Sequence, residues 1–162
     1  MYIYPIKKND EDTFYNYLNM PYRLIYKLGT VTGLRISDII TMKKAILEIK
    51  EPTIKEQKTG KSRRIYIPKK LRAELKQYAN NNSSEFIFAG YGKSGHITRQ
   101  SVHKAFKHAA ERSNINLNIA THAMRKKYAR TLYAKGKNLK YIQNKLNHKS
   151  ISDTLLYLTD IR

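Results

Sequence analysis

The sequence predicts a mixed α/β domain, mainly α-helical, with a small antiparallel sheet of three strands. Three observations carry this. Apolar residues recur at i, i+3 and i+4 through most of the chain, the spacing of one helix face. Between residues 46 and 67 the pattern changes to short β-prone runs, set off by Pro52 and by Thr59-Gly60. The 162 residues suffice for one domain that buries about two-thirds of its unfolded surface, and no internal repeat or low-complexity linker divides them.

Residues 1–12 read as a short irregular lead-in. Tyr22 to Thr30 reads as a helix with Leu24, Ile25 and Leu28 inward, broken at Thr32-Gly33. A second helix follows, with Ile36, Ile39 and Ile40 on one face. Arg35 therefore falls at or beside a helix N-terminus, where the backbone favours anions. Strands are expected at Ile46–Ile49, Thr53–Gln57 and Arg64–Ile67, where Ile65 and Ile67 alternate around Tyr66. Lys58 lies at or near the second turn of that sheet. The remainder is helical. Leu71, Leu75 and Tyr78 line one helix, and Val102, Ala105, Phe106 and Ala109 the next. Met124, Tyr128 and Leu132 line a third, which Gly136 closes as a C-terminal cap. Leu139, Ile142 and Leu146 stripe a fourth. Ser150-Ile-Ser-Asp153 has the form of a capping box that opens a last short helix holding Tyr157. Asn80–Ser84 and Gly90–Gly95 are surface loops.

The charge is unusual: 32 Lys and Arg against 12 Asp and Glu give a net +20. That balance calls for a polyanionic partner, most commonly nucleic acid. A merely Lys-rich protein without a ligand would interleave signs along its solvated faces. Here Arg112 to Ser152 contains no acidic residue while ten Lys and Arg occur within it. The absence of Cys removes disulfides, thiolate nucleophiles and the usual structural zinc sites. No apolar stretch approaches the ~20 residues of a membrane span, and the N-terminus lacks a secretory signal pattern. A cytoplasmic protein is expected, and the Lys-, Asn- and Ile-rich usage is compatible with a bacterial or phage-encoded gene. Gly60-Lys-Ser62 and Gly92-Lys-Ser94 resemble the end of a phosphate-binding loop, but the required earlier Gly is Lys55 or Ile87. His103 and His108 lack a carboxylate companion for zinc.

One spaced set of residues stands out. His122-Ala-Met-Arg125 is followed by Leu-Asn-His148 and then by Tyr157, with Arg35 and Lys58 upstream. Two imidazoles, a phenol, two guanidiniums and an ammonium suit attack on a phosphodiester without a metal. Singly, each has a plainer reading. His122 and Arg125 share a helix face and can be a surface hydrogen-bonding couple. His148 can cap a helix C-terminus. Arg35 can salt-bridge Asp38, and Tyr157 is one of thirteen tyrosines.

Taken together, the residues resemble the catalytic domain of the tyrosine recombinases, the group that includes phage integrases and chromosome-dimer-resolving recombinases. The resemblance rests on Thr-Gly-Leu-Arg35 with Asp38, Lys58-Thr-Gly in a β-turn, His122-x-x-Arg125, Leu-x-His148 and Tyr157, in that order and spacing. It extends from about Tyr22 to Tyr157. It implies that Tyr157 attacks the scissile phosphate to give a 3′-phosphotyrosine and a free 5′-hydroxyl, conserving the bond energy for rejoining. Arg35 and Arg125 would clamp the non-bridging oxygens, which bidentate guanidinium suits. His122 would bind the phosphate and help take the phenol proton, and His148 would donate to the phosphate. Lys58 would protonate the departing 5′-oxygen. Asp38 would orient its neighbours. Asn147 stands where the family usually has Gly, a change Asn tolerates because it accepts a left-handed backbone. Lys126 stands where many members carry His.

The resemblance further implies double-stranded DNA as partner, a homo-tetramer on paired DNA sites with a monomer compatible in isolation, no membrane, no cofactor and no metal. Lys61, Arg63, Arg99, Lys126, Lys127, Arg130 and Lys149 are the candidate DNA contacts. Five residues follow Tyr157, and there is no room ahead for a separate DNA-gripping domain. The expectation is one catalytic domain over 1–162, either a fragment lacking the N-terminal core-binding domain or an unusually small member. Two rivals remain: a non-catalytic DNA-binding fragment of such a protein, and an unrelated basic nucleic-acid-binding module.

Overall fold

The computed structural model of the protein describes residues 8–114 and 121–159. Its first helix, α1 (Lys8–Asn16), occupies part of the stretch that periodicity reads as an irregular lead-in; residues 1–7 of that stretch lie outside the described residues. The helix is anchored through Phe14, which is fully buried and meets Tyr26 and Phe106 edge-on, with ring centroids 5.4 and 5.9 Å apart. Asp10 and Glu11 in the first turn complement the helix dipole. So short an apolar stripe leaves no periodic signal.

The helix α2 (Met20–Thr32) opens with Pro21 in its first turn and buries Leu24, Ile25, Tyr26 and Leu28. Gly33 ends it in the left-handed region at φ 63°, its N–H donating to the Gly29 carbonyl at 2.9 Å. The chain then turns through Leu34 and Arg35 into α3 (Ile36–Ile40), with Arg35 at its N-cap in extended conformation. The core therefore dictates where Arg35 stands.

Among the described residues the sheet has two strands rather than three. Ile46–Ile49, read as a strand from its β-prone residues, falls mostly in a 3-10 helix (Lys44–Glu48) that buries Leu47 and leaves Ile49 exposed. Leu47 packs from this turn into the main core. The preceding Lys43 already bridges Phe86, with Ile87 N–H donating to the Met42 carbonyl at 2.9 Å. The remaining pair, β1 (Thr53–Lys55) and β2 (Ser62–Arg64), is antiparallel, with Ile54 opposite Arg63 on the buried face. Lys58 lies in the turn between them, which closes with Gly60 N–H donating to the Glu56 carbonyl. Ile65 and Ile67 are buried around exposed Tyr66, as their alternation predicts, although just beyond β2.

The helical second half follows the expected stripes in α4 (Lys69–Ala79), α5 (Arg99–Arg112), α6 (His122–Ala134), α7 (Leu139–Leu146) and α8 (Ile151–Leu158). Gly136, at φ 75°, ends the turn after α6, and Lys137 N–H donates to the Leu132 carbonyl at 3.1 Å. Asn147 does adopt the left-handed conformation after α7, at φ 51°. The Ser150–Asp153 capping box forms in both directions at the start of α8.

The main core runs from Phe14 through α2, α3, the hairpin flank, α4 and α5 to Ala123 and Met124. A smaller cluster of Ala129, Ile142, Leu146 and Leu158 joins α6, α7 and α8, with Tyr157 packed at its margin. Helix α6 belongs to both, and its approach to α2 is close. A Cβ on Gly29 would lie 2.4 Å from Met124 Sδ, and one on Gly33 would lie 2.3 Å from the Tyr128 ring. Gly33→Ala therefore combines a disfavoured backbone with a clash. It is expected to cost roughly 2–4 kcal/mol in chemical denaturation. An unfolding midpoint equal to that of the unsubstituted protein would show that the turn tolerates a side chain.

Candidate active site

Arg125 is the centre of the site and is almost wholly buried, at 1 % exposure. It projects from α6 between α2 and α7. Its Nη1 donates to the carbonyl of Gly33, and Nη2 donates to the carbonyl of Leu146 at 2.8 Å. One guanidinium thus ties the turn carrying Arg35 to the helix end carrying His148. Burial and the neighbouring Arg35 charge lower the Arg125 pKa, opposed by the Tyr157 hydroxyl beside it.

Tyr157, half-buried on α8, closes the site from above. Its hydroxyl lies 3.3 Å from His122 Nδ1, and its ring stands at 81° to that of His148 with centroids 4.6 Å apart. Arg130 Nε donates to the Tyr157 carbonyl at 3.3 Å, helping to hold α8. His148 Nδ1 shares a hydrogen bond of 3.0 Å with the buried Thr154 hydroxyl. Desolvation, then the Arg125 charge, pushes the His148 pKa down to about 4. His122 is more open, yet its ring is also held below the usual imidazole range. Desolvation leads there too, followed by the charges of Arg125, Arg99, Arg35 and Lys58. Both imidazoles are therefore neutral near pH 7. A neutral His122 can accept a proton from the phenol it faces.

Beneath these groups lies a set of acids. Asp38 is buried, and its Oδ1 accepts from Gln57 N–H at 2.9 Å, which fastens α3 to the hairpin. Burial raises its pKa and the Glu56 charge adds to this, against the Gln57 hydrogen bond and the Arg35 and Arg125 charges. Arg35 pairs with Glu56 and not with Asp38. Glu56 is fully buried; its Oε1 lies 3.3 Å from Arg63 Nε, and its Oε2 accepts from Thr59 Oγ1 at 3.1 Å and from Arg35 Nη1. Glu56 is absent from the motif residues, yet the sequence carries a signal for it. In the alternation of Ile54, Lys55 and Glu56 it takes an inward position, and an acid there requires a buried cation.

The structure thus brings Arg35, His122, Arg125, His148 and Tyr157 together, with Lys58 exposed on the hairpin turn close enough to bear on His122. Two expected DNA contacts do not reach the surface. Arg63 opposes Ile54 on the inner face of the sheet, and its Nη2 donates to the Thr32 carbonyl at 2.8 Å. Burial, with the Arg125 and Arg35 charges, lowers its pKa to about 10 despite Glu56. Lys126 is buried on α6. Lys127 pairs with Glu11, while Lys61, Arg99 and Lys149 are exposed. Among the described residues no three His, Asp or Glu side chains are placed to hold a metal ion, and no helix is long and apolar enough to cross a membrane. A cleft of about 620 Å³, lined by Tyr22, Tyr78, Tyr91 and Asn81, opens elsewhere and contains none of these groups.

The hairpin turn and helices α3, α6, α7 and α8 thus gather two guanidiniums, two imidazoles, a phenol and an ammonium in one place. The chain belongs to the phage integrase family, whose sequence model matches residues 6–161. A tyrosine recombinase of Thermosipho africanus is 32% identical over 129 residues, which cover 78% of this chain and 45% of that protein. The chain spans about half the length of most of the curated relatives it matches. Among solved structures, the XerA recombinase superposes with a TM-score of 0.80 at 16% identity, over 97% of this chain and 60% of that one. A lambda integrase tetramer bound to a Holliday junction gives a TM-score of 0.74 at 22% identity, over 93% and 47%. The recombinase catalytic-domain fold is thereby established.

The depressed imidazole of His148 makes stability depend on pH. In the unfolded chain it titrates near the ordinary value of about 6.5. Above that value both states are neutral and its contribution is full. As pH falls towards 4 the unfolded chain takes the proton first, and the fold loses roughly 2–3 kcal/mol. Urea unfolding at pH 7.5 and pH 5 should show this loss, and His148→Gln should flatten it. A pH dependence unchanged in His148→Gln would remove the assignment.

Proposed function

We propose that this domain cuts and rejoins double-stranded DNA as the catalytic part of a site-specific tyrosine recombinase or integrase. The observation that carries the reading is the Tyr157 hydroxyl, set 3.3 Å from the neutral His122 Nδ1 and beside the buried Arg125 guanidinium. A scissile phosphate held by Arg35 and Arg125 lies within reach of that oxygen. Tyr157 Oη attacks phosphorus as its proton passes to His122 Nδ1. The bond from phosphorus to the 5′-oxygen breaks, and the Lys58 ammonium gives that oxygen a proton. The product is a 3′-phosphotyrosine with a free 5′-hydroxyl, and reversal on a new 5′-end rejoins the strand.

The guanidiniums stabilise charge that grows on the non-bridging oxygens, in a site already arranged before DNA arrives. With the Thr154 hydroxyl donating to Nδ1, His148 carries its proton on Nε2 and donates to the phosphate. Asp38 holds the hairpin against α3. Lys61, Arg99 and Lys149 supply phosphate contacts, so binding weakens steeply with salt. Arg130 and Lys127 sit on α6, where Arg130 Nε meets the Tyr157 carbonyl and Lys127 meets Glu11, so they stand as secondary candidates for DNA contact. The lambda integrase tetramer on a Holliday junction supports four protomers on paired sites as the working assembly. The bacterial relatives support the cytoplasm as its compartment.

A library of nicked duplexes of randomised sequence tests the reading, by selecting those that become covalently attached to the protein. An adduct is expected, and Tyr157→Phe should abolish it while DNA binding persists. Tight binding with no adduct from any duplex would leave a DNA-binding fragment. Arg125→Lys keeps the charge and loses the fork that reaches both carbonyls. It should slow cleavage of a selected duplex by about 100-fold or more, with affinity changed little. Normal cleavage by Arg125→Lys would refute the role given to Arg125.

A further inference from the structure

Glu56 has no part in the reaction as written, yet its surroundings are those of a working group. It is completely buried and stands two positions before Lys58 in the chain. A carboxylate out of water is costly unless its oxygens are paired. Arg63 Nε lies 3.3 Å from Oε1, an ordinary structural counter-ion. Oε2 is different, because both its partners belong to the reacting edge. Arg35 Nη1 donates to it, and so does Thr59 Oγ1 at 3.1 Å, from the residue next to Lys58. The backbone of Glu56 also frames that turn, its carbonyl accepting from Gly60 N–H at 2.9 Å and its N–H donating to the Lys61 carbonyl at 3.0 Å. Arg35 keeps 16% of its side chain exposed, so the guanidinium is held along one edge and open along another.

On the strand-cleavage reading above, on which this rests, we propose that Glu56 is a positioning residue. One buried carboxylate holds the Nη1 edge of Arg35 and the Lys58-bearing turn in register, so that the phosphate clamp and the leaving-group acid face the same phosphodiester. With Nη1 committed to Glu56, Nε and Nη2 of Arg35 are the donors presented to the non-bridging oxygens. Lys58, on an exposed turn, gains a defined place from the carboxylate beneath it. Glu56 acts through these two residues and touches no reacting atom.

Glu56→Gln keeps the volume and an acceptor for Thr59 while removing the charge that orients Arg35. Three forms of a selected duplex read its effect in single turnover: the native phosphate, a neutral methylphosphonate in which a methyl group replaces one non-bridging oxygen, and a 5′-bridging phosphorothiolate whose sulfur leaves without a proton. Glu56→Gln is expected to cleave the native duplex about 10- to 100-fold more slowly than the unsubstituted protein, with affinity within about twofold. The deficit should shrink at least about threefold on the methylphosphonate, where Arg35 has less charge to meet, and on the phosphorothiolate, where Lys58 is dispensable. Either modified duplex suffices. Thr59→Val, which removes one donor to Oε2, should give the same pattern more weakly if Glu56→Gln fails to fold. Native-rate cleavage, or an equal deficit on all three duplexes, would overturn the proposal and leave Glu56 a support of the fold. An unsubstituted protein that forms no adduct would take down the recombinase reading with it; an adduct with a uniform Glu56→Gln deficit would take down this proposal alone.

Discussion

The site depends on a single buried guanidinium. Arg125 spends two of its nitrogens on main-chain carbonyls far apart in sequence, Gly33 at the end of α2 and Leu146 at the end of α7. Carbonyls at helix C-termini have no partner within the helix, so both ends need such a donor. The cost of burying the cation is offset by satisfying them. As a consequence, Arg35 and His148 are fixed relative to each other by the side chain that lies between them. A neutral residue of similar size at 125 would leave two buried carbonyls orphaned as well as removing a charge.

A second constraint follows from that burial. Arg35 disfavours charge on both Arg63 and Arg125, and Arg125 disfavours it on Arg63, in a region largely shielded from water. Glu56 and Asp38 supply the opposing charge from below, leaving the upper surface positive. Desolvation first, and then the same excess of positive charge, keeps both histidines neutral. An imidazole already protonated cannot receive a proton from a neighbouring phenol, so burial and the local field together leave His122 free to accept one.

Tyr157 stands on a helix that packs on the smaller of the two apolar clusters. Helix α8 is held by the small cluster of Ala129, Ile142, Leu146 and Leu158, by its capping box and by Arg130 at the Tyr157 carbonyl. Arg35 and Arg125, by contrast, are tied to the main core through α2, α3 and the first turns of α6. The two arginines and the tyrosine are therefore anchored in different apolar clusters, joined through α6.

Much of this was legible in the residues alone. Helices with full apolar stripes, such as α2, α5 and α7, follow from local spacing, and so do the Ser150 capping box and the left-handed Asn147, because each depends on neighbours a few positions away. The order of Arg35, Lys58, His122, Arg125, His148 and Tyr157 pointed to the chemistry for the same reason that any motif does. Tertiary structure alone decided the rest. The helical state of Lys8–Asn16 comes from Phe14 finding Tyr26 and Phe106, and the 3-10 turn at Lys44–Glu48 goes with the burial of Leu47 in the core. Arg63 and Lys126 carry the charge of surface residues and are buried because the register of β2 and the packing of α6 turn them inward. Arg35 chose Glu56 over the nearer Asp38 since the hairpin folds back beneath it. Local spacing determines which residues can share a face; which distant charge they meet there is settled only when the chain closes on itself.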